Sequence, residues 1–237
     1  MTFIAAPPTA WEWIADHRGE ILHLAIQHVQ LTVLAVAIGT AISLPLSVYA
    51  FRHRATYAPI TWFTGLLYTI PSLALFVILI PITGLTVWTA EIGLVSYTLL
   101  ILIRNFVVGL RGVPDDVKEA AQGMGFTKRQ LLWRVEIPLA LPAIIAGIRI
   151  ATVSTIGLVT VAALIGKGGF GQLILEGLNQ FYNTEIILGA LLSVAFALIA
   201  DLLLLLLQKV LTPWSRARPA RVMPERALRR SEELVAG

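Results

Sequence analysis

Five stretches of this chain are apolar for long enough to cross a hydrocarbon layer, which constrains its fold more than any other feature. A helix rises about 1.5 Å per residue, so a layer of about 30 Å needs about 20 apolar residues. Runs of that kind fall at 29–51, 60–82, 86–110, 141–165 and 186–210. Lipid offers no partner to a bare backbone, so each run must close its own hydrogen bonds as a helix. The fold class is therefore an all-α membrane protein with about five transmembrane helices. Of the 237 residues, 57% are hydrophobic and 14% charged, against about 25% charged in a soluble domain.

The runs divide the chain into an extracytoplasmic N-terminal segment (1–20), a transmembrane domain (21–211) and a basic tail (212–237). Residues 1–10 lack the basic region of a cleaved signal peptide, so the first span is expected to be retained. Residues 21–30 carry His23, Gln27, His28 and Gln30 and read either as an interfacial helical lead-in or as part of the first span. Only Arg18 and Lys167 fall in loops on one side, while Arg104 and Arg149 lie within spans. The other basic residues lie opposite, among them Arg52, Arg54, Arg111 and the 118–134 loop. The positive-inside rule then puts the N-terminus outside and the C-terminus in the cytoplasm. The arginine-rich tail reads as a contact for membrane lipid headgroups, and the six tryptophans, mostly near span ends, as interface anchors.

Within the spans, two features call for partners. Pro71 removes a backbone donor and frees a carbonyl near mid-membrane, so a kink or partly unwound turn is expected at Thr69, Pro71 and Ser72. Such a turn is tolerated only against protein or water, which makes these residues candidates for a pathway or gate. Arg104, Arg149 and Asp201 reach depths of about 9–14 Å from one membrane face. An unpaired charge there costs about 2.5–3.5 kcal/mol. Two readings stand open: a charge cluster in which Asp201 pairs with Arg149, or separate snorkelling of each arginine to phosphates. Asp201 reads as the one clear intramembrane acid.

Between the third and fourth runs lies a polar island. Pro114, Asp115 and Asp116 suit a helix start. Asp116 with Glu119, and Thr127 with Gln130, stand at capping-box spacing. Gly125 is placed to end the first of two short helices and Pro138 to stop the second. Val117, Ala121 and Met124 share one stripe, and the small Ala120 and Ala121 would let a partner's surface approach.

This segment, Glu119-Ala120-Ala121, three residues, Gly125, nine residues, then Val135-Glu136-Ile137-Pro138, resembles the cytoplasmic EAA loop of ABC importer permeases. Val135 and Ile137 depart conservatively from the family's Ile and Leu. Ile70-Pro71-Ser72, Arg104-Asn105 and Ile165-Gly166-Lys167-Gly168-Gly169-Phe170-Gly171 add a likeness to permeases of osmoprotectant importers, over about residues 25–212. The resemblance implies a type I importer fold. Its Glu119 loop (112–140) would meet a cytoplasmic ATPase dimer, with a second identical or related permease and an extracytoplasmic solute-binding protein. It implies a bacterial inner-membrane location and solutes such as glycine betaine, carnitine or choline. It also implies no cofactor on this chain, with ATP and Mg held by the ATPase.

The glycine-rich 166–171 stretch lacks the spacing of a phosphate loop and reads first as a tight outer turn. The remaining weight goes to contact with the binding protein or an outer gate. No cysteine is present, and all four histidines fall in the first quarter. No nucleophile with a base, and no metal-ligand spacing, is visible within the spans, so neither a catalytic nor a metal site is expected. A nucleic-acid partner is not expected either. The alternatives are a permease for another small polar solute such as an amino acid, and an ion-coupled secondary transporter. The latter often shows two repeated halves, and no repeat is visible here.

Overall fold

The computed structural model describes residues 10–215, and all its regular elements are helical. The first nine residues and the tail arginines from Arg216 to Arg230 lie outside the described residues. A short α1 (Ala10–Asp16) precedes α2 (Arg18–Arg52), a helix of 35 residues. The first apolar run begins at about Val29, and the sequence leaves residues 21–30 open between an interfacial lead-in and part of that span. They belong to the span: α2 runs through them without a break, and the Gln27 and His28 side chains bond to the backbone of Gly169, Phe170 and Ile156.

The second crossing is made in two pieces, α3 (Arg54–Thr69) and α4 (Ser72–Thr83), bent by 94° at the break. This is far more than a kink. Ile70 is extended (φ −66°, ψ 127°), as a residue before proline prefers. The pair still runs from end to end. Tyr57 near its start sits under Arg111, 4.4 Å from the guanidinium. Thr83 at its finish meets Thr89 at 2.7 Å.

Helix α5 (Val87–Arg111) is the central post. Leu94, Leu102, Ile103, Phe106, Val107 and Leu110 on it are fully buried. Small residues let its neighbours come close. A Cβ on Gly39 of α2 would lie 2.0 Å from the Thr98 hydroxyl, and one on Gly147 would lie 2.5 Å from Asn105 Cβ. Two short helices follow, α6 (Asp115–Gly123) and α7 (Lys128–Leu131). A π-turn (Leu132–Glu136) then leads into α8 (Ile137–Val161), so that Lys128–Ile165 is one apolar helical rod of 38 residues.

The expectation that Pro138 stops the second coupling helix is therefore wrong. Proline breaks a helix by its missing N–H and by its ring meeting the carbonyl four residues back. Here the wider π-turn precedes it, with the Ile137 N–H donating to the Leu132 carbonyl, and Pro138 occupies the first turn of α8. Helices α9 (Phe170–Gln180) and α10 (Asn183–Leu211) complete the fold. Only 6% of the apolar window of α10 is buried within the chain. Trp13 is a correction to the interface-anchor reading, since it is 7% exposed and stacks on His17 at 4.1 Å.

The close approaches around α5 predict a contrast between glycines. Gly39→Leu should lower the midpoint of thermal unfolding in detergent and broaden the size-exclusion peak, as overpacking costs about 1–3 kcal/mol. Gly65→Leu on α3, where nothing lies within 4 Å of an added Cβ, should leave both readings unchanged.

Candidate functional site: the coupling segment and its ties to the spans

The polar island folds by local rules. Pro114 stands at the N-cap of α6, and Lys118 Nζ donates to Asp115 Oδ1 at 2.9 Å. That hydrogen bond and the ammonium charge hold the Asp115 carboxyl below its usual range. Asp116 lies inside the helix and accepts from the adjacent Val117 N–H, so no capping box forms between Asp116 and Glu119. The Thr127–Gln130 box does form: Thr127 N–H donates to Gln130 Oε1 at 2.8 Å, and Gln130 N–H to Thr127 Oγ1 at 3.3 Å.

Gly125 ends α6 with φ +83°, a conformation glycine adopts without the Cβ penalty. The Phe126 N–H reaches the Ala121 carbonyl at 3.1 Å and the Gly125 N–H the Gln122 carbonyl at 2.9 Å. These are the paired bonds of a Schellman cap. Glu119, Ala120 and Gly125 are exposed, whereas Ala121 is 2% exposed and faces its own chain. Val135, Ile137 and Pro138 are half-buried. Ile137 packs on the cluster that contains Phe106, Leu110, Leu132 and Ala140. One edge of the motif thus lies open to a partner while the other grips the spans.

The grip has a charged component that the sequence reading missed. Arg52, the last residue of α2, donates to the Lys128 carbonyl at 2.9 Å and stands 3.6 Å from Glu136. Glu136 is 3% exposed. Arg52 therefore ties the first span to both α7 and the π-turn. It also lines a cavity of about 670 Å³ with Arg54, Arg111, Lys118 and Lys128, against only Asp115 and Glu136 as acids. A carboxylate lodged inside a docking motif was the available signal, but its partner lies on another span.

Of the three intramembrane charges, the structure brings two together. Arg149 grips Asp201 with two parallel bonds of 2.9 Å, Nε to Oδ1 and Nη2 to Oδ2. Gln208 extends the link: Arg149 Nη1 donates to its Oε1 at 3.3 Å, and its Nε2 donates to the Pro142 carbonyl at 3.1 Å. Arg104 stays apart, sharing the exposed stripe of α5 with Val108 and Arg111. At the break, the Tyr97 hydroxyl donates to the Ile70 carbonyl. Thr69 and Pro71 are exposed and Ser72 half-buried, so this turn sits on the outer surface of the single chain.

Asp201 is not the lone intramembrane acid. Glu91, inside the 86–110 run, is 1% exposed with neither carboxylate oxygen partnered. A carboxylate one turn into an apolar run was the signal for it. Among the described residues no group of three or more His, Cys, Asp or Glu side chains comes together to hold a metal ion.

The Arg52 tie predicts a non-additive pair. Arg52→Met leaves Glu136 buried with its ion-pair partner gone, and should cost roughly 2 kcal/mol of stability. Glu136→Gln should cost less. The double variant should be no less stable than Arg52→Met alone, measured by thermal unfolding of the purified chain.

Comparison with known proteins places this geometry. Residues 34–217 match the family described as "Binding-protein-dependent transport system inner membrane component". The osmoprotectant import permease protein OsmW of Salmonella typhimurium is 40% identical over 206 residues, covering 85% of this chain and 96% of that protein. The choline transport system permease protein OpuBB of Bacillus subtilis is 34% identical, covering 85% of this chain and 93% of that protein. The glycine betaine/carnitine/choline permease protein OpuCB of the same organism is 35% identical, with the same coverage of 85% and 93%. Among solved structures, the inward-facing MetNI methionine ABC transporter matches with a TM-score of 0.72 at 21% identity, over 81% of this chain and 96% of that one. That likeness shows the type I importer fold. With four helices long and apolar enough to cross a membrane, and a fifth crossing in the bent pair, the chain belongs to the binding-protein-dependent transport system inner membrane component family and is a multi-pass inner-membrane permease.

Proposed function

We propose that this permease carries compatible solutes of the quaternary amine class, glycine betaine, carnitine, choline or a close relation, into a bacterial cell. The observation that carries the proposal is the agreement between relatives and architecture. Relatives at 33–40% identity whose names give a solute name these compounds or osmoprotectants. Around them stands a permease whose one polar island is built as a docking surface. The end bearing Arg52, Arg54, Arg111 and the coupling helices faces the cytoplasm, by the positive-inside rule. This puts the N-terminus outside and the basic tail inside, beside anionic lipid.

The division of labour follows. A separate ATPase pair, holding ATP and Mg, docks on the exposed edge formed by Glu119, Ala120 and Gly125. Its closure is passed along the 38-residue rod from Lys128 to Ile165. A second permease, identical or related, covers the exposed turn at Thr69, Pro71 and Ser72, and a binding protein delivers solute to the opposite end. Arg52 with Glu136, and Arg149 with Asp201, keep α2 and α10 in step with the rod.

The test is uptake by the assembled importer. Labelled glycine betaine should accumulate in a strain without other uptake routes for it, and methionine should not. Gly125→Trp should insert normally but lose both uptake and solute-stimulated ATP hydrolysis, since a side chain at φ +83° strains the turn that faces the ATPase. Normal uptake by that variant would contradict the docking role.

A further inference from the structure

A cavity of about 620 Å³ lies at the end of the chain opposite the coupling helices, between α2, the first turn of α5 and the loop after α8. Apolar side chains such as Ile26, Val33 and Leu34 make most of its wall. Two ionisable side chains of opposite kind also line it, the acid Glu91 and the base Lys167. They do not neutralise each other. Ion pairs among the described residues join Arg52 to Glu136, Lys118 to Asp115 and Arg149 to Asp201, and neither Glu91 nor Lys167 takes part. Both oxygens of Glu91 are buried without a hydrogen-bond partner. A buried carboxylate left unsatisfied is costly, and in a native fold it calls for a reason.

The position of Lys167 is fixed by the loop that carries it. Gly169 N–H donates to Gln27 Oε1 at 2.9 Å, and Phe170 N–H donates to His28 Nδ1 at 3.3 Å. With Nδ1 accepting, the ring's Nε2–H is free to donate to the Ile156 carbonyl at 3.1 Å, so His28 is neutral and bridges α2, α8 and the loop. The glycines are what allow this fit. A Cβ on Gly168 would lie 2.3 Å from the Ala163 backbone, and one on Gly169 would lie 2.5 Å from His28 Cβ. The loop is thus pressed flush onto α2, with Lys167 at the cavity. The tight turn is a mount for one cation.

We infer that this cavity is a subsite for a small zwitterion, with its ammonium end at Glu91 and its carboxylate at Lys167. A mostly apolar wall that carries one acid and one base suits a solute whose charges are separated by methylene carbon and whose nitrogen carries methyl groups. The choice of glycine betaine as probe rests on the quaternary amine reading above. The opposed charges stand without it. A zwitterionic phospholipid headgroup has the same pair of charges, and the experiment separates the two sources.

The full-length chain is placed in nanodiscs of phosphatidylglycerol alone, and binding of glycine betaine and of choline is measured by saturation-transfer NMR. Choline has the cation and no carboxylate. Lys167→Gln should weaken glycine betaine at least about ten-fold, the loss of one charge-assisted bond, and leave choline unchanged. Glu91→Gln, which keeps the side chain's size, should weaken both. A purely structural role for either residue would not split the two ligands. Equal binding by wild type and both variants, or binding by none, overturns the subsite. A second arm uses nanodiscs containing phosphatidylcholine and native mass spectrometry. Lipid retained by wild type, lost in Glu91→Gln and not displaced by glycine betaine would assign the cavity to a headgroup and overturn the solute assignment. Uptake by the assembled wild-type importer, measured alongside, isolates the cause of failure. Uptake with no ligand split sinks the subsite alone, whereas absence of uptake for any quaternary amine sinks the functional reading.

Discussion

Inside hydrocarbon a polar group has no water to turn to, and the architecture follows from where this chain finds substitutes. Helix α10 shows the constraint most plainly. Its first half packs on α2 and α9 through Leu188, Leu192 and Phe196, whereas its later half is hardly buried and needs a further reason to hold one place beside α8. The two-pronged grip of Arg149 on Asp201, extended through Gln208 to the Pro142 carbonyl, supplies that reason. A guanidinium and a carboxylate meeting in parallel fix angle as well as distance. Either charge alone would carry the cost of isolation in lipid.

The same constraint explains the two irregular stretches of helix. The break at Ile70 is sustained because Tyr97, from the central post, donates its hydroxyl to the Ile70 carbonyl. Pro138 is accommodated because a π-turn widens the rod just before it. Irregular backbone at such places is where a membrane helix can bend or be pushed. One lies on the exposed face of the second crossing and the other at the root of the docking segment.

Much of this was legible in the residues, for physical reasons that differ from place to place. The spans follow from length and apolarity, and the break follows from a proline's missing N–H. The end of α6 at Gly125 and the start of α7 at Thr127 were readable because a glycine cap and a capping box are local, whereas the Asp116–Glu119 box and the Pro138 stop did not form. The 94° bend was not readable, since its partner Tyr97 lies 27 residues away. Arg52 and Glu136 escaped notice for the same reason, being separate in sequence and joined only when α2 meets the π-turn. Glu91 was passed over within a long apolar run. Arg104 was grouped with Arg149 by depth alone, but depth says nothing about which side of a helix a residue faces. Ala121 looked like an open contact by size and proved to be an internal one.

The central claim is that the docking segment, α8 and α10 move as one body, joined by Arg149 and Asp201. The most direct measurement is a charge swap in the assembled importer, with uptake per ATP hydrolysed as the readout. Arg149→Asp and Asp201→Arg singly should each lower that ratio, because each places two like charges together at membrane depth. The double swap should restore much of it. Single variants that transport as well as wild type, or a double swap whose defect is the sum of the two, would contradict the account.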